Sequence, residues 1–274
     1  MSQSPFYNIT NPGSALGEAI GSAMEFALQE LLVQTVDDYG CYYLTSSVNK
    51  TKAGRKAKKL LLFDNFGNSY DSDGVITDEA MRPLILIESK YIRYKKHNRD
   101  KGSWVCHAHT AIRRRYHSIR SSIAILAGSW SKSSVAMMES HDITLFIIPF
   151  EFICNLLDRY GIDFRWDEKE QEKAFAAWEK YNLLSADDKA QIGREMIQVI
   201  QERLMTRVGQ ILDESIDRTI EKVVIELVSN LGEVKLFEFA SVEEAIEFLE
   251  QEGLEDYFVA DDSLALFDPP PQYD

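Results

Sequence analysis

Cysteine is nearly absent from this chain. Cys41, Cys106 and Cys154 are the only thiols in 274 residues, too few and too scattered for a disulfide scaffold or a four-cysteine zinc site. Long apolar runs are missing too. The longest, Leu145 to Phe150, falls far short of the ~20 residues that a membrane helix needs, and no charged-then-apolar leader opens the sequence. Three common signatures are also lacking. Without Gly-x-Ser-x-Gly there is no support for a serine hydrolase of that type. Without a Walker loop or a Gly-x-Gly-x-x-Gly fingerprint there is none for ATP or NAD. No internal repeat is found. The expectation is a reduced, soluble, cytoplasmic protein with no membrane segment and no nucleotide cofactor.

What is present is a divided charge. The chain holds 30 Lys+Arg against 44 Asp+Glu, a formal net charge of −14, which taken as an average discourages nucleic-acid binding. Residues 50–132 nevertheless carry 18 basic and 7 acidic side chains, leaving 12 basic and 37 acidic for the remainder. This segregation suggests a basic face on an acidic body; two oppositely charged parts of one solvated surface would give the same tally.

The order of elements points to an α/β fold. Leu16, Ile20, Ala23, Ala27, Leu28 and Leu31 recur at helical spacing, predicting a helix from a Ser14 cap to about Val36. A short strand at residues 42–44 follows. Strands near 59–63 and 69–76 flank the turn-rich Asp64-Asn65-Phe66-Gly67-Asn68, which suits a hairpin. Residues 82–94 read as another strand; its centre, Leu84-Ile85-Leu86-Ile87, is apolar without alternation and so is expected to be buried on both faces. His109 to Ala127 reads as a helix, residues 142–150 as a strand and 152–160 as a short helix. Together these predict a mixed central β-sheet flanked by helices. A charged helical stretch covers about 167–217. Val223–Val228 and Val234–Phe239 then form a second hairpin, Ser241 caps a last helix, and residues 268–274 are expected to be a disordered tail.

The sharpest chemical signal is Asp73 followed by Glu88-Ser89-Lys90. Residues two apart in a strand point the same way, so Glu88 and Lys90 share one face while Ile87 and Ser89 share the other. Two charges at the end of a buried strand are costly unless they are paired or solvated. A hairpin connection can bring the Asp73 carboxylate beside Glu88. Two carboxylates completed by substrate phosphate oxygens form a common Mg²⁺ environment, and an ammonium beside them can stabilise charge developing at phosphorus. The opposing reading is a surface Glu–Lys pair on an edge strand, worth little energetically; the run Leu84–Ile87 argues against an edge.

Asp73, the apolar strand and Glu88-Ser89-Lys90 resemble the PD-(D/E)xK nuclease superfamily, to which many type II restriction endonucleases belong. Ser72 stands where that name has proline. The resemblance implies a restriction-endonuclease-like core over residues 1–165, a charged helical region at 166–221 and a C-terminal hairpin, helix and tail at 222–274. It implies a Mg²⁺-dependent endodeoxyribonuclease, with Mn²⁺ able to substitute. Asp73 and Glu88 would hold the metal, and Lys90 would position or activate the water that expels the 3′ oxygen. Burial is expected to lift a carboxylate's proton affinity and lower that of Lys90. The superfamily often draws a further carboxylate from its first helix, where Glu18 and Glu25 stack on one face; Glu25 borders the apolar side and is the preferred ligand. Between them, Gly21 and Ser22 leave room for a backbone or a phosphate.

Basic residues flank this motif. Lys52, Arg55 and Lys56 precede the first hairpin, Arg93, Lys95 and Lys96 follow the motif strand, and Arg113 and Arg114 lie in the next helical segment. All are candidate phosphate contacts to double-stranded DNA. Cutting both strands of a palindrome needs two sites, so by analogy a homodimer is expected. His97, Cys106, His107 and His109 match no usual zinc spacing and are expected to be loop or DNA-contact residues. The competing expectations are a non-catalytic nucleic-acid-binding protein and a structure-specific repair or recombination nuclease.

Overall fold

A computed structural model describes residues 11–46, 60–95, 98–259 and 268–269. Lys52, Arg55, Lys56, Lys96, His97 and nearly all of the tail fall outside those residues. Helix α1 (Pro12–Asp37) starts earlier than the Ser14 cap predicts. Asn11 is the cap, its Oδ1 accepting from Ser14 N at 3.0 Å, and Pro12 loses nothing by lacking an N–H in the first turn. Leu16, Ile20, Met24, Leu28 and Leu32 form its buried stripe.

Strand β1 (Tyr42–Thr45) comes next, then a small hairpin of β2 (Leu61–Phe63) and β3 (Ser69–Asp71), and then β4 (Gly74–Thr77) and β5 (Pro83–Ile92). The expected single strand over 69–76 is broken at Ser72-Asp73, where the chain leaves the small hairpin and enters the central sheet. Helix α2 (Asn98–Arg115), β6 (Ser121–Gly128), α3 (Lys132–Glu139), β7 (Ile143–Pro149) and α4 (Phe150–Asp158) follow. The central sheet has the order β1-β4-β5-β6-β7. The β1–β4 and β4–β5 pairs are antiparallel, and β5–β6 and β6–β7 are parallel. The mixed sheet flanked by helices is the architecture the sequence predicts.

The helix predicted from His109 to Ala127 is two elements. Ile112, Ile119, Ile123 and Leu126 imitate a helical stripe, yet β6 is buried at every position and therefore shows no alternation to betray a strand. Its alternate residues face opposite layers. Ile123, Ile125 and Ala127 join the core beneath α1, while Ala124 and Leu126 pack with Val105 and Cys106 of α2 and Met138 of α3.

The core does not stop at residue 165. Helices α5 (Gln171–Leu183) and α6 (Ala186–Leu212) contribute Ala174, Tyr181, Ile192, Met196, Ile200 and Leu204 to the same apolar cluster as α1. A Cβ at Gly193 would lie 2.1 Å from the Ala23 carbonyl oxygen, so α6 can cross α1 this closely only with glycine there. Residues 1–213 form one compact unit and 214–274 a second. The second contains the hairpin β8 (Val223–Val228) and β9 (Val234–Phe239), helix α7 (Val242–Leu249) and a short 3-10 helix, Leu254–Phe258.

Candidate active site

Strand β5 is the second of two antiparallel steps and the first of two parallel ones, and its residues alternate between the layers. Ile85 and Ile87 face α1, and Leu86 packs with Ala108 and Ile112 of α2. Continuing that alternation, Ser89 turns to α1, where its Oγ donates to Glu25 Oε1 at 3.2 Å. Glu88 and Lys90 turn to α2, where His109 Nε2 stands 3.8 Å from Glu88 Oε2 and the Lys90 ammonium lies 5.7 Å from the Trp104 ring centre. The face assignment drawn from residue parity holds.

Asp73 completes the group. The register pairs Gly74 with Ile87, so the residue before Gly74 arrives opposite the end of β5. Asp73 Oδ2 accepts from Ser89 N at 2.9 Å and from Lys90 Nζ at 2.9 Å. Lys90 Nζ also makes an ion pair with Glu88 Oε1. One ammonium thus bridges two carboxylates, one from the β3–β4 connection and one from β5. The Glu88 side chain is 1% exposed, against 22% for Lys90 and 34% for Asp73, so the cluster grades from a sealed acid to a solvent-reachable one.

Burial and neighbouring charge set the protonation of each group. Burial raises the Asp73 carboxyl above its ordinary value, the Glu88 charge adds to that, and Lys90 offsets only part. Burial likewise raises Glu25, helped by the Asp73 charge. Burial opposes ionisation of Glu88 too, but His109 and Lys90 close by hold it below the usual carboxylate range. Lys90 departs from expectation. Burial does work to lower it, but the attraction of Glu88 and Asp73 outweighs that and raises it. Lys90 is therefore a persistent ammonium at neutral pH, suited to holding anionic oxygens rather than to removing a proton.

A cleft of about 670 Å³ opens beside the group, lined by Glu18, Ser22 and Glu25 of α1, by Ser89 and Lys90 of β5, and by Lys101 of α2. Lys101 is pushed below its ordinary value by burial and by the charge of Lys90. The room expected at Gly21 is taken by protein: the Tyr91 ring packs against Gly17 and Gly21, with built Cβ distances of 3.2 and 3.4 Å.

Oxygen donors of this kind suit a hard cation such as Mg²⁺ or Mn²⁺, which takes one or two carboxylates and fills its remaining positions with water and phosphate. Asp73 and Glu88 fit that role. Lys90 Nζ occupies one side of Glu88 Oε1 and His109 Nε2 stands 3.8 Å from Oε2, and each carboxylate oxygen has further lone pairs for a cation. Glu25 reaches the group through Ser89. Among the described residues no group of three or more His, Cys, Asp or Glu side chains is disposed to hold a metal ion. Cys106, His107 and His109, expected in a loop, lie in helix α2, where Cys106 and His109 are buried.

The basic candidates are dispersed. Arg93 is a correction: it is buried, its guanidinium carbon 3.5 Å from the Trp166 ring centre and 4.1 Å from that of Phe164, with Nη2 donating to Trp166 O at 2.5 Å. The Trp166 and Phe164 rings and the Trp166 carbonyl engage its guanidinium at the wall of the cleft, so it is a packed side chain and not the free phosphate contact expected. Lys95 is exposed close to the site in sequence. Arg113 is half-buried and Arg114 exposed at the far end of α2, about 18 Å along the helix from Lys101 at 1.5 Å per residue.

His109 was missed as a neighbour of the site. It lies on the buried stripe of α2 with Val105 and Ile112, spacing that reveals its inward face once the helix boundaries are right. No family model matches the chain, and no curated protein matches it. Among solved structures, the crystal structure of a protein of unknown function, AF1548, is similar with a TM-score of 0.31 at 13% identity, covering 65% of this chain and 99% of that one. A likeness that slight carries no argument about either fold or function.

Proposed function

We propose that this protein is a Mg²⁺-dependent endodeoxyribonuclease, with Mn²⁺ able to replace Mg²⁺. One observation carries the proposal: an ammonium, Lys90, pairs with two carboxylates, Asp73 before β4 and Glu88 on β5, and itself lines a cleft. Asp73 and Glu88 would hold the metal. When bound, such an ion polarises a phosphoryl oxygen and lowers the pKa of water. The chain's own part is to hold and to place. The Ser89 N–H and the Lys90 ammonium fix Asp73 Oδ2. His109 stands behind Glu88. Lys90, kept charged, faces negative charge accumulating on phosphate oxygens in the transition state. Glu25 fixes the Ser89 hydroxyl.

The finer reading is a site-specific enzyme of type II restriction character, acting on double-stranded DNA as a homodimer in the cytoplasm. Support for it comes from the motif and its place on a central strand. On the membrane, the described residues include no helix long and apolar enough to cross one.

One observation favours a non-catalytic nucleic-acid-binding protein: Lys90 already pairs with both carboxylates, as in a structural ion pair. Supercoiled plasmid separates the readings. The nuclease nicks or linearises it with Mg²⁺, is silent in EDTA, and loses activity in Asp73→Asn, a change of one atom at a partly exposed side chain. Binding without cutting under every metal condition would establish the binder instead.

A further inference from the structure

The β2–β3 turn presents an aromatic ring to solvent on a braced support. Phe66 is 92% exposed at its tip. The turn beneath it is strongly fixed. Asp64 Oδ1 accepts from Phe66 N at 2.8 Å and Asn68 N at 2.9 Å, and Oδ2 accepts from Asn68 Nδ2 at 2.8 Å and Tyr70 OH at 3.2 Å. The hydrogen bonds from Asn68 lead in holding the Asp64 carboxyl below its ordinary value, so it stays ionised and keeps accepting. Gly67 closes the turn at φ +86°, a conformation that other residues rarely adopt.

The turn is also tied to the end of α2. Asn65 Nδ2 donates to Arg114 O at 3.2 Å, and Arg115 Nη1 donates to Asp64 O at 3.1 Å. Leu62 and Tyr70 pack beneath the hairpin against Ala108 and Ile112. A lone exposed phenylalanine is ordinary. This one stands on a turn with its backbone fixed at both ends, beside three consecutive arginines. Arg114 and Arg115 are exposed, and none of the three makes an ion pair among the described residues. Unpaired cations gathered beside a rigid ring match the two faces of a polynucleotide: phosphates for the guanidiniums, the π-face of a base for the ring.

We propose that the β2–β3 turn and the last turn of α2 form a nucleic-acid contact separate from the cleft, in which Phe66 stacks on a nucleobase of the bound DNA and Arg113 and Arg114 take phosphates. This rests on the nuclease reading for the identity of the partner. Along α2 the contact begins about 18 Å from Lys101 in the cleft and about 6 Å beyond His109, which stands behind Glu88. Phe66 belongs neither to the ion-paired group nor to the lining of the cleft, so its part is to grip the substrate.

The test uses the full chain in EDTA and a fluorescent DNA duplex of about two helical turns carrying a single-stranded overhang, whose bases leave a π-face open, with anisotropy read across a salt series. Phe66→Ala weakens binding roughly tenfold, within the range for loss of one base–aromatic stack. Phe66→Trp binds like the parent. Arg114→Gln lowers the slope of log affinity against log salt by about one. With Mg²⁺ and saturating DNA, the Phe66→Ala turnover equals that of the parent. An affinity for Phe66→Ala within about twofold of a parent that binds and cuts DNA overturns this contact and leaves the nuclease reading standing. A parent that neither binds nor cuts DNA overturns both.

Discussion

Residues 1–213 contain 27 Lys+Arg and 27 Asp+Glu, whereas residues 214–274 contain 3 and 17. The chain's entire formal excess of −14 therefore belongs to the smaller unit. Packing separates the two units in the same way. The larger covers both faces of its five-stranded sheet and can bury Glu88 between a strand and a helix. The smaller has a two-stranded sheet with strictly alternating burial, one face packed through Phe237, Phe239, Phe248 and Tyr257 and the other leaving Val224, Val228, Val234 and Leu236 exposed. A sheet covered on both sides can pair charges away from water, where their attraction is strong. A sheet covered on one side cannot, and its acids remain solvated.

If chemistry lives only where charge is buried, the largest effects fall in the first unit. Lys90→Ala should lower cleavage by on the order of 10²–10³-fold. It should also destabilise the metal-free protein, because Glu88 is left buried without its ammonium, a loss of about 3–5 kcal/mol in comparable pairs. Urea unfolding of the variant with and without Mn²⁺ checks this, and restoration by the metal is expected. Next in size, Phe248→Ala should cost the second unit about 3–5 kcal/mol, enough to unfold it while plasmid cleavage survives; calorimetry and a nicking assay on one sample would show the division. Loss of cleavage there would break the comparison. A smaller change is expected from His109→Ala, which removes the group behind Glu88 and should weaken Mn²⁺ affinity about 10-fold, as loss of an outer-shell partner does, with His109→Gln recovering part. Least of all, Cys154 is fully buried and its thiol is pushed up to about 11. It should resist iodoacetamide at pH 8 in the folded protein, since the thiolate that reacts forms only as pH rises toward that value.

Much of this arrangement was legible in the sequence. The parity of Glu88, Ser89 and Lys90 placed two side chains on one face because strand geometry leaves no alternative, and the unbroken apolar run before them marked a covered strand. The second hairpin and the Ser241 cap were readable because its strands alternate and its turn carries glycine. Strand β6 was not readable, since a strand buried on both sides has no period to distinguish it from a helix. The protonation of Lys90 was misjudged because burial is visible in sequence while the two carboxylates that outweigh it come from the fold. Arg93 misled for a related reason. Its aromatic neighbours Phe150, Phe164 and Trp166 lie 57, 71 and 73 residues away in sequence, and only tertiary packing brings them around the guanidinium. Helices α5 and α6 were expected outside the core because their many charges conceal a stripe that closes only against α1.

The account stands on a divalent cation held by Asp73 and Glu88, and direct titration with Mn²⁺ followed by electron paramagnetic resonance tests that without any appeal to cleavage. The parent should bind Mn²⁺, Asp73→Asn should bind it at least about tenfold more weakly, in line with the loss of one carboxylate ligand, and Mg²⁺ should compete for the same position. Equal Mn²⁺ binding by parent and variant, or none by the parent in the presence of DNA, would contradict it.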